Sequence, residues 1–341
     1  MSAHPDLPGR IVCFGEILLR LAAPPGRLPL QTPAFDAGTD GAEANVAVAL
    51  ALLGHRAAMV SVLPDNTLGR AALDGLRAHG VDTDGIRLQP GRMGLYFLDP
   101  GAGKQPTDII YDRAGSAYAL ADPDLYDWPA LLDGAAWLHV SGIAPAVGDG
   151  PAQAVLTAMR AARARGVRVA FDGSYRAPLW AERGQDGAPL LLEAMRQADV
   201  LFAGPRDIAL ALGRPELADP ARDAEVARTA FAAFPNLTLL AWTRGVQHGA
   251  GNHELSAVLH TRAKAVTGGS YRLSGTVDRI GTGDAFAAGV LHGLQTGMEP
   301  ADVAGFALAA AALKHAVTGD FNPARAERID AAHTGAHDAR R

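Results

Sequence analysis

Along most of its 341 residues the chain alternates short apolar runs with helical stretches, and a glycine stands just past each of the first helices. Ile11-Val12-Cys13-Phe14 reads as a buried strand that stops at Gly15. Residues 42–53 are helical and closed by Gly54, residues 57–63 form the next strand, and residues 66–79 form a helix closed by Gly80. This β-α-β-α rhythm predicts a parallel sheet covered by helices on both faces.

Residues 86–118 break the rhythm. Residues 94–98 and 109–113 read as strands joined by a Gly/Pro-rich turn with no helix between them. Together with residues 17–37, of which 17–21 continue extended until Pro24-Pro25, they are expected to form a small antiparallel flap. Further strands follow at 137–140, 167–171, 198–202 and 238–242, then a late hairpin over 254–260 and 262–266. Residues 153–165, 283–296 and 301–315 read as helices. The expected arrangement is one α/β domain over 8–322 and a loosely held tail over 323–341, rich in Ala, Arg and His.

Charge narrows the function. The net charge of −5, with no lysine-arginine cluster, argues against a nucleic-acid or anionic-membrane partner. The one cysteine, Cys13, lies in an apolar run and reads as a buried thiol. Residues 1–10 lack the apolar stretch of a signal peptide, and no apolar run approaches membrane-span length, so a cytoplasmic protein is expected.

Several strand ends are polar: Asp172-Gly173-Ser174-Tyr175-Arg176, Gly204-Pro205-Arg206-Asp207 and Thr243-Arg244-Gly245. In an open parallel sheet, ligands bind beyond the carboxyl ends of the strands. Then comes Gly281-Thr282-Gly283-Asp284, a glycine turn into a helix. Free amides at a helix start make an anion site, yet Asp284 stands at the same spot. A base that deprotonates an attacking hydroxyl, beside amides that hold a moving phosphoryl, accounts for both. The plainer alternative makes Thr282 an N-cap and Asp284 a partner of the helix dipole. Gly101-Ala102-Gly103-Lys104 resembles part of a phosphate loop. It has Leu98 and Gln105 where that loop needs Gly and Ser or Thr, and is read as a turn. His248 and His253 lack the cysteines of a zinc finger.

Two segments make the chain resemble the ribokinase-like (PfkB) carbohydrate kinases. Asp278 to Gly289 is similar to that family's C-terminal signature, and Gly41-Ala42-Glu43-Ala44-Asn45 with Leu52-Leu53-Gly54 to its N-terminal one. Gly94-Leu95-Tyr96, Tyr111-Asp112-Arg113 and Gly319-Asp320-Phe321-Asn322 are closest to 2-keto-3-deoxygluconate kinases. The resemblance implies an α/β/α three-layer fold with a mostly parallel central sheet and a β lid. It implies ATP and Mg2+, a sugar-acid substrate, and a homodimer formed through the lid.

By the same resemblance, Asp284 abstracts the proton of the terminal hydroxyl, and Gly281, Thr282 and Gly283 form the anion hole. Asp40, Gly41, Asn45, Tyr96, Arg113 and Arg176 line the sugar site. Thr243, Gly245 and Lys314 serve the nucleotide, and Asp207 holds the metal indirectly, through water. Two arginines suit a carboxylate, which a guanidinium binds with fork geometry. The plainer reading of Arg113 is a strand arginine paired with Asp112. Departures are Asp40 before Gly41 where a glycine is usual, Ser174 where Asn is usual, Asp207 where Glu is usual, and Arg279 where Pro is frequent. Asp40 keeps open a kinase for fructose or a related ketose, and Asp207 keeps open a non-catalytic sensor on the same fold.

Overall fold

The computed structural model describes residues 9–24, 26–101, 107–249 and 252–335; Ala102 to Gln105 of the loop-like stretch fall outside them. The first part of the chain supplies β1 (Arg10–Phe14), β2 (Leu18–Ala22), β3 (Asp36–Asp40), α1 (Ala42–Leu52), β4 (Ala57–Pro64) and α2 (Thr67–Ala78). β5 (Asp82–Gln89), β6 (Gly94–Asp99), β7 (Asp108–Asp112), α3 (Trp128–Leu131), β8 (Ala135–Ser141) and α4 (Asp149–Ala164) follow. Next are β9 (Arg168–Asp172), α5 (Ala177–Glu182), α6 (Ala188–Gln197), β10 (Val200–Phe202), α7 (Pro205–Leu212) and α8 (Asp223–Ala233). The chain closes with β11 (Leu239–Gly249), β12 (Asn252–Thr261), β13 (Ala265–Ser274), α9 (Thr282–Thr296), α10 (Pro300–Lys314) and α11 (Ala326–Thr334).

The large sheet runs β13-β12-β11-β10-β9-β8-β1-β4-β5. Every pairing from β5 to β11 is parallel, and β12 and β13 are antiparallel additions at one edge. Central strands of such a sheet are buried on both faces and read as unbroken apolar runs; all eight residues of β4 are buried. Successive side chains of β1 go to opposite faces. Val12 and Phe14 join the core beneath α4, α6, α7 and α8. Ile11 and Cys13 join the core beneath α1, α2, α9 and α10. Cys13 is buried as expected, and burial pushes its thiol pKa up.

The lid is a four-stranded sheet ordered β3-β2-β6-β7. It is mixed where an antiparallel flap was expected, because β2 pairs with β6 in parallel. β2 follows β1 and β6 follows β5, and those two main-sheet strands run the same way, so their continuations do too. Residues 86–89 belong to β5, with Ile86 opposite Ser61, so the lid's second half starts at Gly94.

Two other expectations are corrected. The strand expected to end at 242 continues to Gly249 as half of a long hairpin with β12, and a further strand, β13, covers Ala265–Ser274. Cross-strand pairing overrides the turn signals of Gly245 and Gly268-Gly269. Within the tail expected to be loose, Ala326–Thr334 form α11, whose Ile329 is buried against Phe306 and Ala310; residues 336–341 lie outside the described residues. Tyr271 Oη also donates to the Ala332 carbonyl at 3.0 Å.

Candidate active site

The turn before α9 is held from below. Gly281 sits at φ 79°, a left-handed conformation that suits glycine, and a Cβ there would strike the Asp320 carbonyl oxygen. Asp278 Oδ1 accepts from Ile280 N at 3.0 Å and its Oδ2 from Gly319 N at 3.1 Å. Arg20 of β2, itself buried, reaches Asp278 Oδ2 at 2.6 Å and also pairs with Asp320. Tyr96 Oη of β6 donates to Asp320 Oδ2 at 2.7 Å. Both central lid strands are thus tied to the segments that fix the turn.

No side chain caps α9. Thr282, the alternative N-cap, instead donates through Oγ1 to the Arg279 carbonyl at 2.9 Å, and the space beside Gly283 is open. The first amides of α9 therefore remain available to an anion, in the positive end of the helix field.

Asp284 follows in the first turn. Asn45 Nδ2 donates to Asp284 Oδ2 at 2.7 Å and to Asp40 Oδ1 at 2.9 Å, so one amide bridges two carboxylates from different elements. Gly41 at the start of α1 has φ 145°, and a Cβ there would strike the Glu16 carbonyl, which fixes the entry that places Asn45. Burial pushes the Asp284 carboxyl well above the ordinary range; Asn45 opposes this, while Asp172, Asp40 and Glu43 add to it. Such a group is a stronger base once ionised.

These residues border a cavity of about 220 Å³. It collects Asp40, Asn45, Tyr96, Arg113, Arg176, Gly281, Thr282, Gly283 and Asp284 of the expected site. It also brings in Glu43, Asp172, Ser174 and Arg279, to which the sequence reading gave no role. Arg113 is not a solvated strand residue paired with Asp112, which instead bonds Arg92 at 2.5 Å. Arg113 is buried, with Nε donating to Glu16 Oε2 at 2.7 Å, while Ser116 Oγ donates to Glu16 Oε1 at 2.5 Å. Glu43 Oε1 accepts from Ser141 N at 2.9 Å, and burial pushes this carboxyl up to about 7. Asp172 Oδ1 accepts from both the amide and the hydroxyl of Ser174, so serine takes up the carboxylate locally.

Gly41 and the residues expected to serve nucleotide and metal lie outside this cavity. Thr243 and Gly245 stand within β11, opposite Ala257 and Leu255, and not in a strand-end turn. Lys314 turns inward: its side chain is fully buried, and Nζ donates to the Val317 carbonyl at 3.1 Å. Asp207 Oδ2 accepts from Gly204 N at 3.0 Å, closing the first turn of α7, and burial pushes its carboxyl up to about 6.

Arg20 and Asp320 had no role in the sequence reading. A lone arginine inside Leu18-Leu19-Arg20-Leu21-Ala22 is the signal that could have found the first. A charge in the middle of an apolar strand needs a buried partner.

The sequence profile of the pfkB family carbohydrate kinases matches residues 9–326. The 2-dehydro-3-deoxygalactonokinase of Haloferax volcanii is 34% identical over 327 residues, covering 95% of this chain and 97% of that one. The 2-dehydro-3-deoxygluconokinase of Thermoproteus tenax is 30% identical over 322 residues, covering 91% and 89%. The crystal structure of 2-dehydro-3-deoxygluconokinase from Thermotoga maritima superposes with a TM-score of 0.90 at 36% identity, over 96% of this chain and 100% of that one. With a β lid over a mostly parallel sheet and a carboxylate at an uncapped helix start, this is a carbohydrate kinase of ribokinase-like fold. The chain belongs to the pfkB family.

Proposed function

We propose that the protein transfers the γ-phosphoryl group of ATP to the terminal hydroxyl of 2-keto-3-deoxygluconate, or of its galactonate epimer, giving the 6-phosphate. The observation that carries this reading is Asp284, held by Asn45 at the uncapped start of α9 within a cavity that Arg176 also lines. Asp284 takes the proton from the attacking hydroxyl. The amides of Gly281 to Gly283 donate to the phosphoryl oxygens as charge moves toward the leaving group. Arg176, half-buried in the cavity wall, meets the substrate carboxylate, and Asn45, Asp40 and Tyr96 meet its hydroxyls.

The residues fit a nucleotide triphosphate in one testable respect: open space and unbonded amides adjoin the base. A divalent ion such as Mg2+ bound to the phosphates would supply charge neutralisation. No cluster of three metal-ligating side chains exists among the described residues, so the ion would be held mainly by phosphate oxygens, with Asp207 acting through water.

A neutral ketose such as fructose is the second reading, because Arg113 is already committed to Glu16 and Asp40 faces the cavity. ADP release measured against a panel of sugars and 2-keto-3-deoxy acids, with the phosphorylated carbon located by NMR, separates the two. No turnover of any sugar acid would overturn the primary reading. Asp284→Asn is the control, and should lower turnover by about two to four orders of magnitude while both substrates still bind.

A further inference from the structure

Three arginines line the cavity, and they differ in what already holds them. Arg113 is ion-paired with Glu16 at 2.7 Å. Arg176 stands in the field of Asp172 and Asp207, and lowers the pKa of each. Arg279 is exposed, and among the described residues its side chain makes no hydrogen bond or ion pair. The groups its charge reaches are His253 and His315, whose rings lie 5.0 Å apart. Both are held toward the neutral form, by burial first and by Arg279 in addition.

Position decides what such a cation can do. Arg279 lies two residues before the Gly281 turn, and its carbonyl is bonded to Thr282 Oγ1, so its backbone moves with the first turn of α9. Arg279 lines the same cavity as Gly281, Thr282, Gly283 and Asp284, and its charge also reaches His253 of β12 and His315 just past α10. It is thus a cation on the wall that the uncapped first turn of α9 shares with the base. Asp40, Glu43, Asp172 and Asp284 also face the cavity. A dianionic phosphoryl group brought among these carboxylates meets a repulsion that a helix end, worth roughly half an elementary charge, does not offset alone.

We propose that Arg279 is a catalytic residue that contacts the phosphoryl group during transfer. Resting on the kinase reading above, it assigns that site a full positive charge which the amides lack. The sugar oxygen forms its bond to γ-phosphorus, the bond from phosphorus to the β,γ-bridging oxygen breaks with its electron pair left on ADP, and the hydroxyl proton passes to Asp284. Arg279 forms no covalent bond. It donates to the non-bridging γ-oxygens as charge shifts across them.

The test compares wild type with Arg279→Gln and Arg279→Lys. It measures kcat, the KM for ATP and for the sugar acid, and the affinity for ADP with aluminium fluoride in the presence of sugar acid. Being exposed, Arg279 tolerates substitution without loss of fold, which the melting temperature checks. Arg279→Gln should lower kcat by about 10²–10³-fold and weaken the aluminium fluoride complex by a similar factor, with both KM values within about threefold. Lysine should restore part of the loss. A kcat within threefold of wild type overturns the role, as does a rise in sugar-acid KM with kcat unchanged, which would make Arg279 a reader of the substrate carboxylate. A wild-type enzyme inactive toward every sugar and sugar acid would instead reject the kinase reading itself.

Discussion

Arg20 Nη2 lies 2.6 Å from Asp278 Oδ2, and this buried pair joins lid strand β2 to the segment that leads into the glycine turn of α9. Burial alone would lower the affinity of Arg20 for its proton, but Asp320 and Asp278 more than restore it. Removing one member of a buried ion pair leaves the others uncompensated, at a cost of about 3–5 kcal/mol. Arg20→Gln should therefore reduce the free energy of unfolding by about that amount in urea titrations. Neutralising its partners as well, in Arg20→Met with Asp278→Asn and Asp320→Asn, should recover much of the loss. A single variant within 1 kcal/mol of wild type would show that the clamp contributes little.

The pH profile offers a check on Asp284 with opposed expectations. The carboxyl must be ionised to act as a base, and its folded pKa is raised. Activity should then fall as pH drops through a value above the ordinary aspartate range. Asp40 pushes that value up, and the Asn45 hydrogen bond pulls it down. Asp40→Asn should move the acid limb of kcat/KM to lower pH, and Asn45→Ala should move it to higher pH. Shifts in the same direction, or none, would mean that a different group governs the limb.

Much of the fold was legible because parallel strands buried on both faces must be apolar throughout, as in β4. The grouping of Gly281 to Asp284 on one cavity wall was legible because the glycine turn and the carboxylate are contiguous in sequence. The clamp was not: Arg20 and Asp320 lie 300 residues apart, and only the folded chain brings them together. Arg113 lines the cavity, but its pairing with Glu16, from the loop after β1, is not visible in the sequence spacing. Lys314, expected from the resemblance to serve the nucleotide, is fully buried, as lysine seldom is. Here the carbonyl of Val317 and the carboxylates of Asp278 and Asp320 make that burial tolerable. β13 was missed in part because Thr267-Gly268-Gly269-Ser270 carries a turn signal, while its strand state comes from pairing with β12.

Metal dependence should locate the work of Asp207. Its carboxylate accepts from the Gly204 amide and is also stabilised by the Tyr175 backbone, so under the proposed function it would act on a phosphate-bound ion only through water. Asp207→Ala should raise the Mg2+ concentration needed for half-maximal rate far more than the KM for the sugar acid. Titration of EDTA-stripped enzyme with MgCl2 measures both. Full activity without divalent ion would remove the metal from the scheme, and an unchanged Mg2+ requirement would confine Asp207 to closing the first turn of α7.

Under the proposed function, substrate choice should turn on Arg176, since Arg113 is already paired with Glu16. A carboxylate at one end of a six-carbon chain, held by the Arg176 guanidinium, would place the far hydroxyl against Asp284 for in-line attack. Hydrogen bonds to charged groups contribute about 1.5–3 kcal/mol, or roughly ten- to a hundredfold in kcat/KM for one such pair. Asp40 repels the same carboxylate, but its Oδ1 is engaged by Asn45, which spreads that charge. The wild-type enzyme should thus prefer 2-keto-3-deoxygluconate over fructose and ribose, and Arg176→Ala should lose that preference through the acid alone, with neutral-sugar turnover little changed. Competition assays with paired substrates measure the ratio directly. Equal use of fructose by the wild type, or a preference that survives Arg176→Ala, would move carboxylate recognition away from Arg176 and favour the ketose reading.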